Sequence, residues 1–283
     1  MKTYKKLLIP YIVWIGMFLV VPMLLIVFYA FTSSDSNQIV QIRFTLEHFK
    51  KFFDPVFVAV LWQSLKIATI TTIICLLLGY PLAYIISKLS DRNQTLMILL
   101  ITIPMWINML IRTYAWMSLL SDVGIINTFL ANFGIGPIKM MYTDFAVILG
   151  MVYNFLPFMI LQIYTVLSRM DESLIEASYD LGANKVKTFM RVVFPLSLSG
   201  VISGITLVFL PAVSTFVIPQ LLGGGGYVLI GNLIENQFVS IGNWNFGSAI
   251  SLIMAVIIMF SMHLANKFDQ DNEANDKKVR GTV

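Results

Sequence analysis

The chain has 283 residues, of which 58% are hydrophobic and only 12% are charged, and its mean hydropathy is +0.81. A soluble domain of this length does not need so much apolar surface, so the composition predicts a polytopic membrane protein. The net charge of +4 does not indicate nucleic-acid binding, because the basic residues flank apolar segments and form no stripe. The single cysteine, Cys75, excludes an intrachain disulfide and a cysteine-based metal site.

Six apolar segments are long enough to cross a bilayer, whose core of roughly 30 Å requires about 20 helical residues. The first has about 25 apolar residues, too many for the apolar region of a signal peptide, and is expected to remain as a membrane helix. Backbone polar groups must be paired in lipid, so all six are predicted to be helices. The segments are 7–31, 57–87, 95–119, 144–167, 196–219 and 246–267.

The predicted fold is therefore all-α, with one membrane domain over residues 1–267 and a charged, disordered tail at 268–283. Basic residues set the orientation, because Lys and Arg accumulate in the cytoplasmic segments of membrane proteins. With the N-terminus inside, 13 of the 19 basic residues lie in inner segments and four in outer loops. Both termini are predicted to be cytoplasmic.

The third and fourth segments carry polar residues inside apolar runs. Asn108, Arg112 and Trp116 recur every four residues, which predicts one shared polar face on a single helix. Tyr153 and Asn154 do the same in the fourth segment, and such faces indicate a bundle interior or a water-filled cavity. Ordinary helix packing is the alternative. For Arg112, which lies roughly 26 Å along its helix, contact with outer headgroups is a further alternative.

Acidic and aromatic residues accumulate toward the outer side. They include Tyr114, Trp116, Tyr153, Phe216 and Glu235. Carboxylates together with aromatic faces suit an organic cation, through charge and cation–π attraction. The alternative is the ordinary aromatic belt at a membrane interface.

Catalytic and nucleotide-binding patterns are missing from the sequence. The glycines at 223–226 are not followed by the Lys-Ser/Thr of a phosphate-binding loop, and the two histidines, His48 and His263, have no ligand at helical spacing. The chain is thus expected to be a non-enzymatic component without a metal, and any use of ATP would require another chain.

Residues 168–195 form a polar loop between the fourth and fifth apolar segments. Glu176 and Asp180 belong to a predicted short helix, Gly182 permits a bend, and 184–193 form a second short helix. Pro195 is expected to start the next membrane helix. A helix-turn-helix with exposed apolar residues at the membrane surface indicates a docking element for a partner.

This loop resembles the EAA loop of ABC importer permeases. The resemblance rests on Glu176-Ala177-Ser178, on Gly182 six residues after the glutamate, and on Phe194-Pro195-Leu196, with Ser178 replacing the second alanine. In that family the loop is the coupling helix that docks on the ATPase subunit. The resemblance implies this role for Glu176, Ala177, Ser178, Asp180, Gly182, Val186, Phe189 and Pro195.

The sequence around 112–116, together with 221–224, 229–234 and 237–238, is similar to the first permease subunit of spermidine/putrescine importers. This resemblance implies a type I importer of the bacterial cytoplasmic membrane, in which two permeases, an ATPase dimer and an extracytoplasmic binding protein cooperate. ATP and Mg would be bound by the ATPase, and this chain would bind no cofactor. The residues then expected along a polyamine path are Asn108, Arg112, Tyr114, Trp116, Tyr153, Asn154, Phe216 and Glu235.

Alternatives to this hypothesis remain open at this stage. The same machinery could import another small solute, such as thiosulfate, iron or molybdate. A secondary transporter or channel would need neither a coupling loop nor an ATPase. A purely structural membrane subunit would tolerate replacement of its cavity residues.

Overall fold

The computed structural model describes residues 10–33 and 43–280, and this part of the chain is almost entirely helical. Two-residue strands β1 (Thr32–Ser33) and β2 (Arg43–Phe44) form a small antiparallel pair. The helices are α1 (Pro10–Ala30), α2 (Glu47–Phe52), α3 (Pro55–Ser87), α4 (Asp91–Thr102), α5 (Met109–Leu120), α6 (Ile125–Ala131), α7 (Asp144–Leu167), α8 (Glu172–Asp180), α9 (Lys185–Thr188), α10 (Phe194–Ser214), α11 (Val217–Leu222), α12 (Ile230–Glu235) and α13 (Trp244–Arg280).

Six helical stretches within the described residues are long and apolar enough to cross a membrane, which confirms the predicted number. Their bounds differ from the predicted ones by a few residues in most cases, because capping residues and prolines decide where each helix begins. Asp54, for example, caps α3 by accepting a hydrogen bond from the Val56 amide. The stretches are Pro10–Ala30, Pro55–Ser87, Met109–Ala131, Asp144–Leu167, Lys185–Ser214 and Trp244–His263.

The third crossing is broken, and here the predicted single helix over 95–119 is wrong. A 3₁₀ turn at Ile103–Trp106 follows α4, because Pro104 cannot donate a helical hydrogen bond. Asn108 then has extended backbone angles, and its side-chain oxygen caps α5 by accepting from the Leu110 amide at 2.8 Å. The helix that restarts here continues only to Leu120, and a turn separates it from α6.

The centre of the bundle consists of α3, α7 and α10, with α7 packed between the other two. Glycines allow this close approach. A Cβ added to Gly79 of α3 would lie 3.0 Å from Met159 Cγ of α7, and one added to Gly204 of α10 would lie 2.7 Å from Met159 Sδ. Near the end of the bundle that the polar loop at 168–195 joins, the buried hydroxyls of Tyr80 and Ser197 connect α3 to α10 through a hydrogen bond of 2.8 Å.

The first helix packs along α13 and lies outside this central group. Its C-terminal end is fixed by Asn245, whose amide nitrogen donates to the Tyr29 carbonyl at 3.1 Å and to Thr32 Oγ1 at 3.3 Å. None of the apolar window of α1 is buried within the chain. Residues 1–9, which include the basic N-terminal lysines, lie outside the described residues.

Two further predictions differ from the structure. The fifth crossing begins at Lys185 and not at 196, because a π-helical segment over Phe189–Val193 joins α9 to α10 without a break. A π-helix joins residues five apart by hydrogen bonds. This pattern accommodates Pro195, which has no amide hydrogen to donate to the preceding turn. The tail expected to be disordered over 268–283 is helical as far as Arg280, since Gly281 is the first glycine or proline after the apolar run; residues 281–283 are outside the described part.

Candidate functional site

Arg112 and Trp116 of α5 lie one turn apart and both contact Tyr153 of α7. The Arg112 guanidinium carbon is 6.0 Å from the Tyr153 ring centroid, and the Trp116 and Tyr153 rings meet edge to face at 5.3 Å. Arg112 Nε and Nη1 are buried and have no hydrogen-bond partner among the described residues. The cluster therefore holds a partly desolvated positive charge beside two aromatic rings.

Asn108 and Tyr114 do not join this cluster. Asn108 precedes α5 as its cap, and its carbonyl accepts from the Arg112 amide at 3.2 Å, so it lies at the start of the helix that carries Arg112 and Trp116. Tyr114 is exposed on another side of α5. Asn154 is buried in α7, where its amide donates to the Gly150 carbonyl at 2.8 Å and its Oδ1 has no partner among the described residues.

A second polar site lies between α11 and α12, at the end of the bundle away from residues 168–195, and we call it the outer cleft because the basic residues predict that this end is outside. It has a volume of about 200 Å³. Its polar lining consists of the side chains of Gln220, Tyr227, Asn232, Glu235, Asn236 and Ser240.

The chemistry of the outer cleft favours a cation. Glu235 supplies a carboxylate, and the amide oxygens of Gln220 and Asn236 can accept N–H bonds. Burial raises the pKa of Tyr227, and the neighbouring Asp144 carboxyl raises it further, so this phenol remains neutral at physiological pH. The cleft thus combines one negative charge, several acceptors and an aromatic ring.

Phe216 is positioned by residues in and next to α12. Asn232 Nδ2 donates to the Phe216 carbonyl at 2.8 Å, and its Oδ1 accepts from the Leu229 amide at 3.3 Å. A Cβ added to Gly231 would lie 2.6 Å from the Thr215 carbonyl oxygen, so only glycine fits there. The buried Ser64 of α3 accepts from the Ile230 amide at 2.7 Å. We call Ser64, Gly231 and Asn232 the outer latch, because they hold α12 against the break between α10 and α11.

The outer latch and most of the cleft were not predicted as a site from the sequence. Ser64 is a lone hydroxyl in a long apolar run, and such residues usually bond their own helix, as Ser64 also does with the Val60 carbonyl. The sequence feature that could have indicated the outer latch is the pair Gly231-Asn232, which interrupts the apolar run Leu229–Ile234.

The predicted docking element is a hairpin, the coupling hairpin, formed by α8, a turn at 181–184 and α9. Asp171 caps α8 by accepting from the Ser173 amide at 2.9 Å, and this hydrogen bond lowers the pKa of its carboxyl. Gly182 has φ +79°, which glycine adopts without strain. Asn184 caps α9 by accepting from the Lys187 amide at 2.9 Å. The local sequence therefore specifies both helices and the turn.

The structure separates the predicted coupling residues into two groups. Glu176, Ala177, Asp180 and Val186 are exposed on the hairpin. Ser178 is buried and bonds Thr188 Oγ1 at 2.8 Å, which ties α8 to α9. Phe189 packs inward, with ring centroids 5.7 Å from Tyr80 and 5.6 Å from Tyr84 of α3. Pro195 lies in the first turn of α10.

Comparison with known proteins assigns the chain to a family. Residues 75–272 match the family described as binding-protein-dependent transport system inner membrane component. The chain belongs to this family. It is a permease of ABC importer type and a multi-pass protein of the cytoplasmic membrane.

The permease has similar relatives of known name. It is 40% identical to the spermidine/putrescine transport system permease protein PotB of Haemophilus influenzae over 259 residues, covering 90% of this chain and 91% of the relative. With PotB of Escherichia coli it shares 40% identity over 247 residues, covering 87% and 90%. The inner membrane ABC transporter permease protein YdcU of Escherichia coli is 30% identical over 274 residues, covering 92% and 87%.

Among solved structures, the fold is similar to that of a bacterial alginate ABC transporter in complex with a periplasmic protein bound to alginate pentasaccharide. The TM-score is 0.76 at 16% identity, with 94% of this chain and 95% of the other covered. At this identity the likeness establishes the fold alone. A methionine ABC transporter, MetNI, gives a TM-score of 0.57 at 16% identity, covering 76% of this chain and 95% of the other.

Proposed function

We propose that this permease forms half of the translocation path of an ATP-driven polyamine importer. The observation that carries the proposal is the outer cleft, whose lining includes the Glu235 carboxylate and the side-chain amides of Gln220 and Asn236. Each ammonium group of a polyamine has N–H donors and a positive charge, which these groups would satisfy. The names of the PotB relatives support the same substrate class.

The partners follow from the same proposal. A second permease would complete the path, an extracytoplasmic binding protein would deliver the polyamine, and a cytoplasmic ATPase dimer would bind ATP and Mg. This chain itself would bind no cofactor. The coupling hairpin and both termini would then face the cytoplasm, in agreement with the excess of basic residues in those segments.

The coupling hairpin provides a mechanical route for alternating access. Closure of the ATPase dimer on ATP would displace the hairpin, and Phe189 would pass that displacement to α3 through its contacts with Tyr80 and Tyr84. The continuous helix from Lys185 to Ser214 would pass it to the break beside Phe216. The hairpin is thus an element whose position both ATP and substrate can bias.

Uptake by the reconstituted complex tests this function. Proteoliposomes that contain both permeases and the ATPase, with the binding protein outside and ATP at the ATPase face, should accumulate radiolabelled spermidine or putrescine. Replacing Glu235 with Gln should raise the KM about fivefold, because the cleft would lose about 1 kcal/mol of partly screened charge attraction.

Two results would contradict the proposal in different ways. Transport of thiosulfate, molybdate or iron without polyamine would reject the substrate and keep the machinery. Polyamine uptake that persists without the ATPase would reject the machinery and favour a secondary transporter.

A further inference from the structure

A second cleft opens on the coupling hairpin, between α8 and α9. Its volume is about 300 Å³, and its lining includes the basic side chains of Lys187 and Arg191. These two residues are exposed and are four positions apart, so they lie on neighbouring turns of one helix face. Two positive charges therefore border a single concave site, which we call the basic cleft.

Neither charge is neutralised within the described residues. The ion pair found there joins Lys88 Nζ to Glu172 Oε1 at 3.7 Å and leaves Lys187 and Arg191 without a carboxylate. Like charges four residues apart on a helix destabilise it by a few tenths of a kcal/mol. The basic cleft is thus an arrangement that an external anion would stabilise.

Hydrogen bonds within and between α8 and α9 fix the shape of the basic cleft. The buried Ser178 hydroxyl bonds Thr188 Oγ1 and the Ile175 carbonyl, both at 2.8 Å. The Ala183 amide donates to the Ser178 carbonyl at 3.0 Å, which closes the turn around the cleft. Because these bonds hold α8 and α9 together, the backbone positions from which Lys187 and Arg191 project are fixed before a partner binds.

The rest of the hairpin surface indicates what kind of partner fits. Leu181, at the rim of the basic cleft, is 90% exposed and offers an apolar contact. Glu176 and Asp180 are exposed on α8, so one helix of the hairpin is acidic where the other is basic. An anionic membrane surface would be repelled by these acids, whereas a folded protein can present separate charges to the two helices.

We propose that the basic cleft receives a carboxylate side chain of the ATPase subunit, which pairs with Lys187 and Arg191. The inference rests on the proposed function, in which that subunit docks on the coupling hairpin. Arginine can bind a carboxylate through two parallel N–H bonds, and lysine adds a third donor. The pairing gives the hairpin one docking orientation, because a reversed partner would bring its acid against Glu176 and Asp180.

Charge reversal in the complete complex tests this pairing. Lys187→Glu and Arg191→Glu should each weaken the binding of the ATPase subunit to the permease pair at least tenfold, and should reduce the loss of affinity that added salt causes in the unmodified complex. Lys185→Glu is the matched control, because Lys185 is exposed on the same helix and is not part of the cleft lining. It should change the affinity less than threefold. Thermal unfolding of each variant permease confirms that it is folded.

The remaining outcomes distinguish failure of the carboxylate pairing from failure of the proposed function. Equal affinity changes at all three positions would reject the cleft pairing, since they would report only net charge. An unchanged ATPase affinity with reduced binding to phosphatidylglycerol vesicles would reject it in favour of a lipid contact. If Gly182→Pro abolishes docking while Lys187→Glu does not, the docking role remains and the carboxylate is rejected. If the unmodified permease pair does not bind the ATPase, the proposed function itself fails.

Discussion

Arg112 illustrates how one side chain can be recognised in a sequence while its environment is not. An arginine within an apolar segment marks a functional or interfacial position, and the simplest expectation was contact with outer headgroups. In the structure its Nε and Nη1 are buried next to Tyr153, without a hydrogen-bond partner in the described residues. By contrast Lys66, the other basic residue of a predicted crossing, is exposed.

This difference predicts that replacement by methionine affects stability at Arg112 and not at Lys66. Arg112→Met should raise the free energy of unfolding of the isolated permease by about 1–3 kcal/mol, because it removes two buried guanidinium nitrogens that have no hydrogen-bond partner among the described residues. Lys66→Met should change it little. Thermal unfolding in detergent measures both, and a less stable Arg112→Met variant would show that the guanidinium has a partner within the chain.

At the scale of elements, the outer half is organised by re-entrant helices. The sequence predicted only a connection between the apolar segments 196–219 and 246–267, yet α11 and α12 fold back against the crossings, and the outer latch fixes them there. Backbone that leaves a helix at membrane depth must be paired by other parts of the protein. Asn232 performs this pairing at the Phe216 carbonyl.

The outer latch predicts a sharp requirement for glycine. Gly231→Ala should destabilise the permease by about 1–3 kcal/mol, because the new methyl group would collide with the Ser214 and Thr215 carbonyl oxygens. Gly225→Ala is the control, since a Cβ there would meet nothing within 4 Å. Thermal unfolding compares the two variants. Equal stability would mean that α12 can move away from the break at little cost.

Local signals for the broken third crossing were present in the sequence. Pro104 disfavours a continuous helix, and Asn108 is a favourable cap. The apolar residues on both sides still suggested one uninterrupted helix, because hydropathy averages over a window longer than the break. Tyr114 was assigned to the path from the accumulation of outer aromatic residues and from the resemblance at 112–116, and neither indicates which side of α5 it occupies.

At the scale of the whole molecule, the coupling hairpin connects two of the three central helices directly. It follows α7 and leads without a break into α10, while Phe189 contacts α3. A rigid displacement of the hairpin would therefore reach every helix of the central group. Gly182 is the conformationally demanding point, with φ +79° and its amide donating to the Tyr179 carbonyl at 2.8 Å.

This geometry predicts that the hairpin can be uncoupled without unfolding the membrane domain. Gly182→Pro cannot adopt the required positive φ and loses the bond to Tyr179, and Glu176→Arg reverses an exposed charge on α8. Both variants should insert normally and lose ATP-driven uptake in proteoliposomes.

A matched control exists at the other end of the molecule. Gly134 also has a positive φ, +74°, with open space around it. Gly134→Pro imposes the same kind of backbone strain outside the hairpin, so it should leave more uptake than Gly182→Pro. Normal uptake by both hairpin variants would contradict the docking role.

The sequence by itself determined the membrane class, the number of crossings, the position of the coupling hairpin and the family. These properties follow from composition and from caps, turns and motifs that involve residues close together in the chain. Only the tertiary structure decided which polar groups meet. Ser64 bonds Ile230 across 166 positions, and Arg112 faces Tyr153 of a different helix. Such pairings depend on how helices pack, and a polar residue in an apolar run does not specify its partner.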